Sequence, residues 1–252
     1  MKHFVFILAG LVLVSGCASI RTDSSNPSLQ SPITTKAGNT AFHGELGSSD
    51  RIKFTDDASA RPPDISFMYS RSNDARLNLA YGVNDRFDIG AGVTSSAGLN
   101  LTSRFRFSGD EKSTWSSAAT LFVNYDVSTK SGDQNGEFGP GGYNWNAKAS
   151  STLAALGVAI GYRASENVLL IANAGGGETR AKFEIEQDAA NGDPGGNYSS
   201  DIKAPLHNLG FGVAFGRDTF ITLGVMYTHK QWKDTSLGDT STTHAILKIE
   251  TH

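Results

Sequence analysis

From residue 41 onward, apolar side chains recur at every second position rather than every third or fourth, so the chain predicts β-strands, not amphipathic helices. The clearest run is Ala75–Val83, with apolar residues at odd positions and polar or small ones at even positions. A tight turn at Asn84–Arg86 follows, and Phe87–Val93 repeats the pattern. Leu99–Phe107 repeats it again, with Arg104 and Arg106 on the even face. Further strands are predicted at Ser113–Val127, Lys148–Tyr162, Val168–Glu186, Ser199–Phe215, Thr219–Gln231 and Ser241–Thr251. With Ala41–Phe54 as the first and Ile65–Val83 as the second, about ten hairpin-linked strands result.

Within Val168–Glu186, Thr179, Ala181, Phe183 and Ile185 are expected on one face, and Glu178, Arg180, Lys182, Glu184 and Glu186 on the other. The connections alternate in length. Asn84–Arg86, Ser108–Lys112, Arg163–Asn167 and Gly216–Asp218 are short. Thr55–Asp64, Ser128–Ala147, Gln187–Tyr198 and Trp232–Thr240 are longer and richer in Gly, with Ser95–Gly98 the exception.

The first residues follow a different rule. Lys2-His3 precedes an apolar stretch from Phe4 to Val14, too short for the about 20 residues that span a bilayer as a helix. It reads as a signal peptide, residues 1–16, outside the fold. Val14-Ser15-Gly16-Cys17 resembles a bacterial lipobox, which implies lipidation of Cys17 as the mature N-terminus. Ala18 in the next position implies transport to the outer membrane. Cys17 is the only cysteine, so no disulfide can form within the chain. Residues 17–40 are rich in Ser, Thr, Asn and Pro and read as a lipidated Cys followed by a flexible tether. Residues 41–252 form the β domain.

Composition now takes on meaning. The chain has 252 residues, 28 of them Gly, only 19% charged residues and a net charge of −3. No Lys/Arg stripe appears, so nucleic acid is not an expected partner. Modest hydrophobicity, 38%, fits a membrane barrel whose strands alternate between lipid and lumen. Hairpins such as Leu77–Val93, together with the loop alternation, resemble bacterial outer-membrane β-barrel proteins over residues 41–252. The resemblance implies an all-β, antiparallel up-and-down β-barrel with short turns on the periplasmic side. An even strand count would put both termini there, with a lipid-anchored N-terminus on the periplasmic side. The implied partners are outer-membrane lipid, lipopolysaccharide, and the lipoprotein-processing and barrel-assembly machinery. The chain departs from such barrels in ending Glu250-Thr251-His252, without a terminal aromatic. The alternative architecture is a soluble periplasmic β-sandwich tethered by Cys17, whose apolar faces would meet in a core.

In the barrel, Trp115, Tyr125, Tyr162, Tyr227 and Trp232 are expected in aromatic girdles. The lumen would receive Asp74, Arg76, Asn78, Asp88, Arg104, Arg106, Asn124, Asp126, Glu178, Arg180, Lys182, Glu184, His244, Lys248 and Glu250. Opposite charges are mixed, so these groups should pair and fill a narrow interior, and a structural, surface-interaction or narrow-channel role follows. Tyr143 and Trp145 are expected as surface-loop aromatics.

Catalytic and metal signals are weak. The histidines, His43, His207, His229, His244 and His252, form no metal motif, and no cofactor is expected. Outer-membrane hydrolases place Ser/His or carboxylate/His groups near the outer rim. Here Asp193, Asp201 and Asp239 offer carboxylates and His229 an imidazole, but they read as ordinary turn and strand residues.

Overall fold

A computed structural model describes residues 18–57, 64–134, 143–187, 196–233 and 237–251. The lipobox and Cys17 lie outside the described residues, as do Phe138–Pro140, Asp193 and His252.

The alternating segments form β2 (Thr40–Asp57), β3 (Asp64–Asn84), β4 (Phe87–Thr94), β5 (Leu99–Ser108), β6 (Trp115–Gln134), β7 (Tyr143–Ser165), β8 (Val168–Gln187), β9 (Gly196–Gly216), β10 (Thr219–Gln231) and β11 (Asp239–Thr251), preceded by β1 (Ala18–Ser25). Every consecutive pair from β2 to β11 is antiparallel. The sheet closes because β2 pairs with β3 on one edge and with β11 on the other. Closure overturns the sandwich alternative: there are no two facing sheets, only one sheet wrapped around itself.

The β2–β11 seam is short. Leu247 to Glu250 face Leu46 to His43. Above that seam β2 exchanges partners, and its upper half pairs with β1, from Ser25 opposite Ser49 to Ala18 opposite Asp56. β1 is therefore an extra strand and not part of the wall. It reaches across the interior to β6, β7 and β8, where the Thr22 side chain meets Asp126, the Asp23 backbone carbonyl accepts from Ser151, and the Ser24 side chain meets Thr179. A strand that touches walls so far apart in the sheet order can only lie inside the barrel.

Residues 26–35 continue the same path and are buried throughout. This corrects the expected flexible tether over residues 18–35. A polar Ser/Thr/Asn/Pro segment has little to gain from an apolar core, but it can satisfy a polar lumen with backbone and side-chain hydrogen bonds. At the barrel base the segment turns at Lys36–Asn39. There Gly82 donates to the Asn39 carbonyl at 3.0 Å and accepts from Gly38 at 2.8 Å. A Cβ at Gly82 would lie 2.0 Å from the Lys36 carbonyl oxygen, so only glycine admits this approach.

The short turns crowd one end, called the base here, and the longer connections crowd the other, the rim. The Gly216 turn at the base needs a glycine, since φ is +134° and a Cβ would meet the Thr219 carbonyl at 1.8 Å. The rim is uneven. β4 and β5 end at the Ser95–Gly98 turn, while β6 to β9 run on for 20 to 23 residues each. The longer connections predicted from sequence are thus partly strand. Tyr143 and Trp145 lie in β7, opposite Gln134 and Gly132, rather than in a loop.

Candidate functional site: a sealed lumen and a rim cleft

Outside, the lower part of the wall carries an apolar belt. Leu77, Leu79, Tyr81 and Val83 on β3 are exposed, as are Leu156, Val158, Ile160 and Tyr162 on β7, Leu209, Phe211 and Phe215 on β9, and Ile221, Leu223, Val225 and Tyr227 on β10. Monomeric soluble proteins rarely show contiguous apolar patches beyond a few hundred Å². A belt running round the barrel is the surface a bilayer covers. Ala75 to Val83 covers ~30 Å of strand, or ~23 Å of height at a ~40° tilt, close to the ~25 Å band of such barrels. Near the base the Trp115 and Tyr162 rings pack 4.7 Å apart, and Tyr125 and Tyr227 stand toward the rim. Trp232 does not join them. It is buried, and its Nε1 donates to Thr240 Oγ1 at 3.0 Å.

Above the belt the two faces of the wall exchange character. On β8, Leu170 points to lipid, and Leu169 and Ile171 point inward. Higher up the same outward face carries Glu178, Arg180, Lys182, Glu184 and Glu186. These side chains are on the outer surface, not in the lumen as the sequence reading expected. Arg180 forms an ion pair with Asp201 of β9. Their partners in parity, Thr179, Ala181, Phe183 and Ile185, are buried inside. The cause is the change of surroundings. Where lipid gives way to water, polar groups belong outside, and the interior can be apolar. Ile20, Ile52, Phe54, Phe183, Ile185, Ile202 and Trp232 form that upper core. Phe54 and Phe183 stack at 5.3 Å with Phe67 tilted against both.

Within the belt the interior is ionic. Arg76 donates to Asp74 at 2.8 Å and to Glu45 at 3.1 Å, and its guanidinium lies 5.2 Å from the Phe122 ring centre. Arg104 binds Asp88 at 2.7 Å and Glu250 at 3.0 Å. Lys248 lies 3.0 Å from the same Glu250, and His43 3.7 Å. Arg106 donates to the Asp85 carbonyl near the base. His244 is half-buried on the inner face of β11. Charges this deep persist only when paired and hydrogen-bonded.

The N-terminal segment is wired into this network. Ser28 donates to Glu45. Lys248 donates to the Leu29 carbonyl at 3.2 Å. Asn173 accepts from Gln30 N at 2.7 Å and returns a bond to its carbonyl at 2.9 Å. Thr35 N donates to Asp88 at 2.7 Å. The Leu29 side chain lodges against a wall made low by Gly210, Gly212 and Gly224, where an added Cβ would come within 3.0, 2.6 and 2.6 Å of it. Leu29, Ile33, Leu169, Ile171, Met226 and Ile246 form a small apolar cluster there. Making room for a buried chain segment is the role the structure shows for these glycines.

Above the belt, Asp50 and Lys230 form a buried pair at 2.6 Å. Burial pushes the Asp50 carboxyl up, but the Lys230 ammonium and hydrogen bonds from Tyr69 and Asn26 outweigh it and hold the group below its ordinary value. Tyr69 donates to Asp50 at 2.7 Å, and burial together with that carboxylate raises the phenol to about 12.

A cleft of about 230 Å³ opens at the low side of the rim, lined by Arg21, Asp23, Arg51, Ser72, Ser96 and Asp126 among others. Arg51 holds Asp23 at 2.9 Å and Ser72 at 3.0 Å. Two guanidinium groups and two carboxylates leave it balanced in charge and rich in hydroxyls. On the outer wall, His229 Nδ1 lies 2.9 Å from Ser241 Oγ and Tyr227 lies 3.2 Å from the same oxygen. Asp201 is taken up by Arg180. Among the described residues no cluster of three or more His, Cys, Asp or Glu could hold a metal.

The signal that sequence reasoning missed was Leu29 and Ile33, four residues apart in a polar stretch.

No protein family and no curated protein matches the chain. Among solved structures, it is similar to the outer membrane protease OmpT from Escherichia coli, at 7% identity, 93% coverage of each chain and a TM-score of 0.44. It is similar to the attachment invasion locus protein Ail of Yersinia pestis, solved with the heparin analogue sucrose octasulfate, at 14% identity over 85% of this chain and 98% of that one, with a TM-score of 0.37. The N-terminal β-barrel domain of OprF from Pseudomonas aeruginosa matches at 10% identity over 86% and 98%, with a TM-score of 0.26. By its own strand order and closure, the chain is an all-β antiparallel up-and-down barrel.

Proposed function

We propose that this protein is an integral outer-membrane β-barrel lipoprotein whose lumen is sealed by its own N-terminal segment, with a structural or surface-interaction role. One observation carries the reading: a ring of lipid-facing apolar side chains encloses an interior occupied by residues 26–35 and by paired charges. The lipobox at Val14–Cys17 supports acylation of Cys17. The cleft beside Arg21 and Arg51, at the low side of the rim, supports contact with a polar surface ligand such as a saccharide headgroup. Catalysis has no comparable support, because the His229–Ser241 pair lacks a carboxylate placed to orient the imidazole among the described interactions.

The test combines two measurements on detergent-extracted protein. Heat-modifiable migration in gels reports an embedded, closed barrel, and release from membranes by carbonate alone would refute it. Reconstitution in planar bilayers should show no stable conductance steps. Steps of a size expected for an open pore would overturn the sealed reading and favour a channel.

A further inference from the structure

We infer that the N-terminal segment threads the barrel from rim to base, so that the acylated N-terminus emerges at the rim and its lipid enters the outer leaflet. The acyl chains rest on the lipoprotein reading above; the threading rests on described residues alone.

The direction follows from register. β2 climbs from the base, where Thr40 faces Tyr81, to the rim, where Asp56 faces Ile65. β1 is antiparallel to β2 and starts at Ala18 opposite Asp56. The residue that follows Cys17 in sequence therefore stands at the level of the long connections. The chain then descends. Asn26 donates to Ser48 and Asp50, Ser28 to Glu45, and Thr34 to the Asp85 carbonyl in the base turn at 2.8 Å. Ala37 finally bridges Gly82.

There is no slack in this path. From Ala18 to Ala37 the segment has nineteen residues to descend a height that β2 climbs in seventeen, from the level of Gly82 to Asp56. A nearly extended chain cannot double back to the base. On this inference the N-terminus leaves at the rim, in place of the periplasmic N-terminus expected when the segment before the first wall strand stays outside the barrel.

The lumen also says how the anchor gets there. Each buried methylene of an acyl chain contributes about 0.8 kcal/mol of membrane affinity, and the lumen is crowded with ion pairs and with Leu29. Pulling acyl chains through a finished barrel is unfavourable. A wall that closes around the segment at the short β2–β11 seam avoids that step.

The test places one short epitope between Ala18 and Ser19, a second after Gly238 in the rim connection, and a third within the Asp110–Ser113 base turn. Antibody binding is compared on intact and permeabilised cells, with palmitate labelling of the parent and of Cys17→Ser. The expected result is labelling of the first two epitopes on intact cells and of the third only after permeabilisation. Protection of the Ala18 epitope with exposure of the Gly238 one overturns the threading. Protection of both refutes the outer-membrane orientation in the proposed function. Absence of palmitate from the parent refutes the lipid anchor, while the epitopes still decide the threading. Because the insertion could impair assembly, the pair Ser24→Cys and Thr179→Cys is made in the Cys17→Ser background. Their hydroxyls lie 2.8 Å apart, so a disulfide should form and shift mobility on non-reducing gels; failure to form in heat-modifiable protein overturns the threading.

Discussion

Leu29 and Gly212 give the sharpest test of the buried segment. Leu29 is 1% exposed and rests on the glycine wall of β9 and β10. Leu29→Ala removes about three carbons' worth of burial, at about 0.8 kcal/mol per methylene. Glycine neighbours have no side chains to relax into the gap, so the cavity adds to the loss, and the total should be about 3–4 kcal/mol. Gly212→Ala acts in the opposite sense. Its Cβ would sit 2.6 Å from Leu29 Cδ2 and 3.1 Å from the Leu223 carbonyl, an overpacking that costs about 1–3 kcal/mol. In the double variant the new methyl fills part of the space that Leu29 vacates. The combined loss should fall short of the sum by about 1–2 kcal/mol. Gly224→Ala is the internal control. It meets the same Leu29 atom at 2.6 Å but also the Phe211 carbonyl at 2.7 Å, and truncating Leu29 does not move that backbone oxygen. Its rescue should be weaker. Urea unfolding in micelles, followed by loss of the compact band on unheated gels, reads the parent, the three single variants and the two double variants. Strict additivity of Leu29→Ala and Gly212→Ala would refute the contact, and with it the placement of residue 29 in the lumen.

Lys230→Met should destabilise by about 3–5 kcal/mol by stranding the buried Asp50 carboxylate, and adding Asp50→Leu should restore much of that loss in the same urea assay. Because the folded Asp50 lies below its ordinary value of 3.8, its contribution is fully present above pH 3.8 and is lost as pH falls through the lower folded value; an acid titration should show this loss in the parent and not in the Asp50→Leu, Lys230→Met variant. Ala174→Arg, on the outer face of β8 midway between Leu170 at the base and Glu178 above the belt, should cost about 2–4 kcal/mol, whereas Lys182→Ala, on the same face of the same strand, should leave the urea midpoint unchanged. Equal losses at the two positions would contradict the placement of the belt.

Most of the wall was legible from parity alone. Leu77, Leu156, Leu209 and Leu223 stand out from the sheet because period-2 alternation ties every residue of a strand to one face. The same rule misled on β8. Alternation says which residues share a face, but not whether lipid or water lies outside it. Phe183 and Ile185 therefore looked like lipid-facing residues, and Glu184 like a lumen residue. Height along the strand supplies the missing information, and a single sequence does not mark where the bilayer ends. Tyr143 and Trp145 were misplaced because a Gly-rich connection hides how far paired backbone extends beyond the belt. Residues 26–35 were hidden for the opposite reason: in a polar lumen the filler is polar, so it resembles an exposed linker. The sign that it was not a linker lay elsewhere in the chain, in glycines set where a lumen wall could have carried side chains.

The exchange of character on β8 also fixes how deeply the barrel sits. If the molecule sank by one outward position, Glu178 would approach hydrocarbon; if it rose by one, Val168 and the other apolar residues at the base would meet water. Both shifts are opposed around the circumference, because the neighbouring strands change over at similar heights, Ala154 to Thr152 on β7 and Leu209 to His207 on β9. The protein therefore carries its own waterline, and a bilayer of different thickness must adjust to it.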